Sequence, residues 1–90
     1  MKRIELKIKG LVQGVFFRHS AKKLAESLKL TGWIKNEHDG SITLVAEGEE
    51  ANLKNLAGWT RRGPEAANVE SIDEKWSETT GEFTEFSVRY

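Results

Sequence analysis

The stretch Gly10-Leu11-Val12-Gln13-Gly14-Val15-Phe16-Phe17-Arg18 separates two kinds of hydrophobic periodicity. Before it, Ile4, Leu6 and Ile8 alternate with Glu5, Lys7 and Lys9, the pattern of a half-buried strand, β1 over residues 3–9. After it, Phe17, Ala21, Leu24, Ala25 and Leu28 recur at helical spacing and predict α1 over residues 18–30, with Lys22, Lys23 and Glu26 facing water. The stretch itself holds two glycines and one arginine. Glycine accepts positive φ and lets a ligand approach the backbone. Successive N–H groups in such a loop form a concave nest, and the helix start adds partial positive charge. With Arg18 these features read as a cradle for an anion such as phosphate. Taken singly they have plainer readings, a strand-to-helix turn for the glycines and a solvated side chain for Arg18, and position alone leaves both open.

Working outward, Gly32-Trp33-Ile34-Lys35-Asn36 predicts a short β2, and Glu37-His38-Asp39-Gly40 a hairpin connection into β3 over residues 41–47. Gly48-Glu49-Glu50 opens α2, with acids in its first turn and Arg61-Arg62 in its last. Leu53, Leu56, Ala57 and Thr60 form its inner stripe, Trp59 borders it, and Gly63-Pro64 stops it. In β4, residues 68–77, Val69 and Ile72 lie three apart before alternation resumes, which predicts a bulge near residues 70–71. Thr79-Thr80-Gly81 turns the chain into β5, residues 82–90, with Phe86, Val88 and Tyr90 on one face. The order β-α-β-β-α-β plus a closing strand is an α+β split βαβ sandwich, two helices on one face of a mainly antiparallel sheet. Right-handed crossovers make β1 and β2 parallel with β3 between them. Their C-terminal ends then share one edge, about 10 Å apart. Topology thus brings Asn36 beside the loop, although 18 residues separate it from Arg18. Asn36 is either an ordinary residue of the turn or an amide able to orient a water through its donor and acceptor.

Ninety residues, 38% hydrophobic and 31% charged, predict a single globular domain over residues 1–90. No apolar run approaches the ~18 residues of a membrane span and no signal-peptide pattern opens the chain, so a cytoplasmic protein is expected. The absence of cysteine excludes disulfides, thiolate metal sites and a cysteine nucleophile. His19 and His38 lack metal-ligand spacing, so neither metal nor cofactor is expected. Residues 1–35 hold nine Lys/Arg against two Glu, a net +7, and residues 36–90 the balancing −7. Such asymmetry reads either as a solvated face or as a basic end that attracts a small anion, and the acidic remainder makes nucleic acid the weaker expectation. Trp33, Trp59 and Trp76 read as packing, not as a base-stacking platform.

The loop lacks the Lys-Ser/Thr ending of a nucleotide-binding loop. Val12 stands where a cysteine-dependent phosphatase carries its nucleophile, and Asp39 and Asp73 show no nucleophile motif. Phosphoryl chemistry here therefore needs water as nucleophile, with no covalent intermediate. Such a catalyst suits a leaving group that departs as a stable anion, and a carboxyl–phosphoric anhydride has one.

At these residues the chain resembles the acylphosphatase family over its whole length. The opening stretch resembles the family's G-x-V-Q-G-V-x-F-R signature, and Gly32-Trp33-Ile34-Lys35-Asn36 followed by Gly40-Ser41-Ile42 resembles its second motif. Gly63-Pro64, Ala67, Val69, Trp76, Gly81-Glu82-Phe83 and Tyr90 are similar to the family's tail. The resemblance implies a ferredoxin-like fold and hydrolysis of acyl phosphates to carboxylate and inorganic phosphate. It implies that Arg18 holds the phosphoryl group, that Asn36 positions the attacking water, and that Gln13, Gly14, Val15, Phe16 and Phe17 supply backbone N–H donors. A phosphate oxygen of the substrate takes the proton. The expected partner is a small-molecule acyl phosphate, acted on by a monomer without membrane or nucleic acid. The rival expectation is a non-catalytic anion- or partner-binding module on the same fold. The chain departs from the family pattern in Ile34 and Ile42, larger than usual, in Glu74 at a strand-facing apolar position, and in Phe16. Phe16 fills a loop position often taken by a small residue, and positive φ is costly for it.

Overall fold

Alternation in β1 (Lys2–Leu11) buries Ile4, Leu6 and Ile8 on one face of a five-stranded sheet in the computed structural model, which describes residues 1–90. The strand order is β4-β1-β3-β2-β5. β3 (Ile42–Gly48) lies between β1 and β2 (Thr31–Asn36) and runs antiparallel to both, with Ile8 opposite Ile42 and Asn36 opposite Ile42 on the other side. β1 and β2 are therefore parallel and end at the same edge, as expected from right-handed crossovers. β4 (Asn68–Glu78) pairs antiparallel with β1, and the register shifts between Lys9 and Gly10, leaving Glu70 as the extra residue of a bulge. The sequence signal for that bulge, Val69 and Ile72 three apart, is thereby accounted for.

Helices α1 (Phe17–Ser27) and α2 (Glu50–Thr60) pack on the sheet face that carries the alternating apolar residues. Phe17, Ala21 and Ala25 from α1 and Leu53, Leu56 and Ala57 from α2 close the core against the strand residues. Each fully buried Leu, Ile or Phe there contributes about 1.5–3 kcal/mol relative to an exposed one. Ile34 and Ile42 are both fully buried, so their extra bulk is absorbed within this core. Trp59 borders it, tilted against Phe17 with ring centres 5.2 Å apart. Glu74 sits opposite Leu6 on the outer strand, where its carboxylate accepts from the Trp76 indole N–H at 2.8 Å. A charged residue is tolerated at that position because β4 is an edge strand and leaves it wet.

The strands β1 to β4 move by one or two residues from the sequence reading, and three further differences have a physical cause. Helix α1 starts at Phe17 and stops at Ser27, short of residue 30. Lys29 at φ 58 reverses the chain, with Lys29 N–H donating to Glu26 O and Leu30 N–H to Ala25 O, the paired bonds of a Schellman motif. Glycine usually marks such a stop, and a lysine hides it. The last turn of α2 holds no basic residue: Arg61 is its C-cap and Arg62 lies beyond. Strand β5 is Phe86–Arg89, not residues 82–90. The turn ahead of it is anchored by Glu47, whose carboxylate accepts from Thr80 N–H at 3.0 Å, Thr80 Oγ1 at 2.8 Å and Gly81 N–H at 3.1 Å. Arg3 pairs with the same carboxylate at 3.1 Å. β5 then runs parallel to β2, with Gly32 opposite Phe86 and Ile34 opposite Val88. No helix is long and apolar enough to cross a membrane.

Candidate active site

The two loop glycines have separate duties. Gly10, φ 129, still belongs to β1, and a Cβ there would overlap Asn68 O and lie 2.7 Å from Glu70 N. Its small size serves the β4 bulge, which corrects the reading of Gly10 as part of the cradle. Gly14, φ 75, has open space around its would-be Cβ and turns the loop itself. The connecting loop is thus residues 12–16, ending in Phe16 as N-cap of α1. Phe16 adopts the left-handed region, φ 62 and ψ 23, in spite of the strain foreseen for it, about 1–2 kcal/mol for an L-residue.

This geometry leaves donors without acceptors. The first bond of α1 is from Ser20 N–H to Phe16 O at 3.1 Å, and the N–H groups of residues 13–19 have no acceptor within the protein. No side chain caps the helix and no acid stands in its first turn. Helix start and nest therefore present uncompensated positive potential. Arg18 adds to it: the guanidinium pairs with no carboxylate and lies over the Tyr90 ring, 5.1 Å from its centre.

A cleft of about 290 Å³ opens at this point, lined by Val12, Gly14, Phe16, Phe17, Arg18, His19, Asn36, Val88 and Tyr90. Asn36, the last residue of β2, reaches it as topology requires, and its Oδ1 is buried with no hydrogen-bond partner in the protein. A buried polar atom left so costs about 1–3 kcal/mol. Of the loop residues read as phosphate ligands, Gly14, Phe16, Phe17 and Arg18 line the cleft, whereas the side chains of Gln13 and Val15 do not. Val15 packs against the core. The Gln13 side-chain amide donates to Glu37 O at 2.7 Å and Ser41 O at 2.9 Å. It thereby staples the cradle to the β2–β3 hairpin that follows Asn36.

That hairpin is held internally as well. Ser41 donates its hydroxyl and N–H to Asp39 Oδ1, and Lys7 approaches Asp39 Oδ2 at 3.3 Å. These partners, the Ser41 hydroxyl first, hold the Asp39 carboxyl well below the usual carboxylate range. Glu37 accepts from Thr43 Oγ1 at 2.6 Å. His38 is exposed in the hairpin, while His19, also exposed, stands at the cleft wall. Sequence reasoning missed the Gln13 staple, which no spacing reveals, and the wall formed by Val88 and Tyr90. The latter follows once β5 is placed parallel to β2, because both strands then end at the same edge.

Comparisons with known proteins agree on one family. The acylphosphatase family profile matches residues 4–88. The acylphosphatase of Methylococcus capsulatus is 48% identical over 88 residues, covering 98% of this chain and 96% of that protein. The crystal structure of acylphosphatase from Bacillus subtilis superposes with a TM-score of 0.95 at 32% identity, covering 100% of both chains. An acylphosphatase structure from Coxiella burnetii gives 0.90 at 40% identity over 98% of this chain and 92% of that one. The chain belongs to the acylphosphatase family.

Proposed function

We propose that the chain hydrolyses acyl phosphates to carboxylate and inorganic phosphate, with Arg18 and the N–H groups of residues 13–18 holding the phosphoryl group and Asn36 positioning the water. The observation that carries this reading is the buried Asn36 Oδ1 without a partner, in the same cleft as an excess of donors. A pure anion site needs donors only. An unmatched acceptor beside them wants a species that donates, and water does.

Oδ1 accepts one water O–H and leaves a lone pair free to face phosphorus. The new O–P bond forms as the bond from phosphorus to the acyl oxygen breaks, and the electron pair leaves with the carboxylate. The water proton passes to a phosphoryl oxygen, giving inorganic phosphate. Charge on the equatorial oxygens in a loose transition state meets Arg18 and N–H groups already in place, so little reorganisation is required. The leaving carboxylate needs no general acid. The reading extends to a monomer in the cytoplasm, with residues 1–90 as one catalytic domain that needs no metal and no nucleic acid.

The test is turnover of acetyl phosphate by the protein with and without EDTA, beside Arg18→Ala and Asn36→Ala. Each variant should stay folded and lose roughly 10²–10³ in kcat, the scale of losing one group positioned on the transition state. Full activity in either variant overturns its assigned role, and loss of turnover to EDTA overturns the metal-free mechanism. Protection of the fold by phosphate without any turnover leaves the anion-binding module as the better account.

A further inference from the structure

Phe16 carries two penalties at one position. Its backbone occupies the left-handed region that favours glycine, and its ring is 81% exposed. Glycine would relieve the first and remove the second, and the cradle N–H would be unchanged. The ring nevertheless stands at the wall of the cleft. Tyr90, 96% exposed, lines the same cleft with its ring beneath Arg18. Val12 and Val88 add apolar lining to the cleft, and Arg18 and Asn36 add polar groups. An acyl phosphate also joins a polar and a less polar end, and with its phosphoryl group on the loop N–H groups the acyl group has the exposed Phe16 and Tyr90 rings within the same cleft.

We infer that Phe16, with Tyr90, forms an acyl-group subsite that favours aromatic over short aliphatic acyl phosphates. The inference rests on the acyl-phosphate reading above and adds the class of acyl group. A bound aryl ring covers Phe16 and gains an offset or edge contact of the kind aromatic pairs prefer. Acetyl phosphate has no surface to offer it.

The experiment compares kcat/KM for benzoyl phosphate and acetyl phosphate in the unaltered chain and in Phe16→Gly, Phe16→Asn and Phe16→Trp. Glycine and asparagine both tolerate the left-handed backbone, so at least one folded variant lacking the ring is secured. The readout is the ratio between substrates, in which any general effect on the loop cancels. The unaltered chain should favour benzoyl phosphate, and the ratio should fall roughly threefold to tenfold in the glycine and asparagine variants through a raised KM for benzoyl phosphate. Tryptophan should retain it. An unchanged ratio in the variants without the ring, with both substrates still hydrolysed, overturns the subsite alone. Failure of the unaltered chain to hydrolyse either substrate overturns the acyl-phosphate reading and the subsite with it.

Discussion

Replacing Gln13 by alanine should weaken both the fold and the reaction, for one reason. The Gln13 amide gives two hydrogen bonds, 2.7 Å to Glu37 O and 2.9 Å to Ser41 O, across the boundary between the cradle and the hairpin. Neither carbonyl is emptied by the change. Ser41 O keeps Glu37 N–H at 2.8 Å and Glu37 O keeps Gly40 N–H at 3.2 Å. The cost is then the net value of two neutral bonds, not the full desolvation of stranded acceptors, about 2 kcal/mol in total. For a domain of this size that lowers Tm by roughly 8–16 °C. The cradle also loses its direct tie to the segment following Asn36, and misplacement by about 1 Å costs up to ~10²-fold in rate. We expect kcat on acetyl phosphate to fall roughly 10- to 100-fold at a temperature where the variant is folded. KM should move less, since Arg18 and the loop N–H groups remain. Thermal unfolding followed by circular dichroism, with steady-state kinetics, measures both. A Tm within 3 °C of the unaltered chain refutes the hydrogen-bond account. The predicted Tm loss with kcat unchanged refutes the link from staple to chemistry.

Glu47→Gln should cost about 3 kcal/mol at pH 7, because the nearly buried carboxylate serves Thr80, Gly81 and Arg3 at once. Burial pushes the Glu47 carboxyl up, but the bonds from Thr80, Gly81 and Arg3 outweigh it and hold it below its ordinary value of 4.5. Its contribution is therefore present above that value and lost as pH falls through the lower folded one, so the gap between variant and unaltered chain should narrow below about pH 4.5 in denaturant titrations. Lys29→Gly should stabilise by up to about 1 kcal/mol, since glycine accepts the φ of 58 at which lysine is strained, and a raised urea midpoint would register it. Gly10→Ala should destabilise the fold by more than 2 kcal/mol through overlap with Asn68 O, whereas Gly14→Ala, with open space around it, should cost about 1 kcal/mol and mainly weaken phosphate protection against unfolding.

The framework of the fold was legible because its strongest signals are periodic. Ile4-Leu6-Ile8 and Phe17-Ala21-Ala25 announce their elements by spacing, and handedness then puts Asn36 at the loop. What escaped the sequence depends on contacts rather than periods. Gly10 looks like Gly14 in the chain, and only the bulged strand opposite shows that the two serve different neighbours. The turn ahead of β5 is held by Glu47, distant in sequence, through contacts that no spacing announces. The end of α1 is set by a left-handed lysine, a residue type that carries no stop signal. Phe16 is the opposite case: its strain was legible and is present, and the exposed ring beside the cleft gives that strain a use. Topology alone brings Arg18 and Asn36 to one cleft, whereas Val88 and Tyr90 need the parallel pairing of β5 to be known.

The central claim is that an Asn36-positioned water attacks phosphorus. Hydrolysis of acetyl phosphate by the protein in oxygen-18 water, with mass analysis of both products, tests it most directly. Attack at phosphorus predicts one labelled oxygen in inorganic phosphate and none in acetate, and the same labelling, formed far more slowly, in Asn36→Ala. Label in the acetate would mean attack at the carbonyl carbon and would contradict the mechanism.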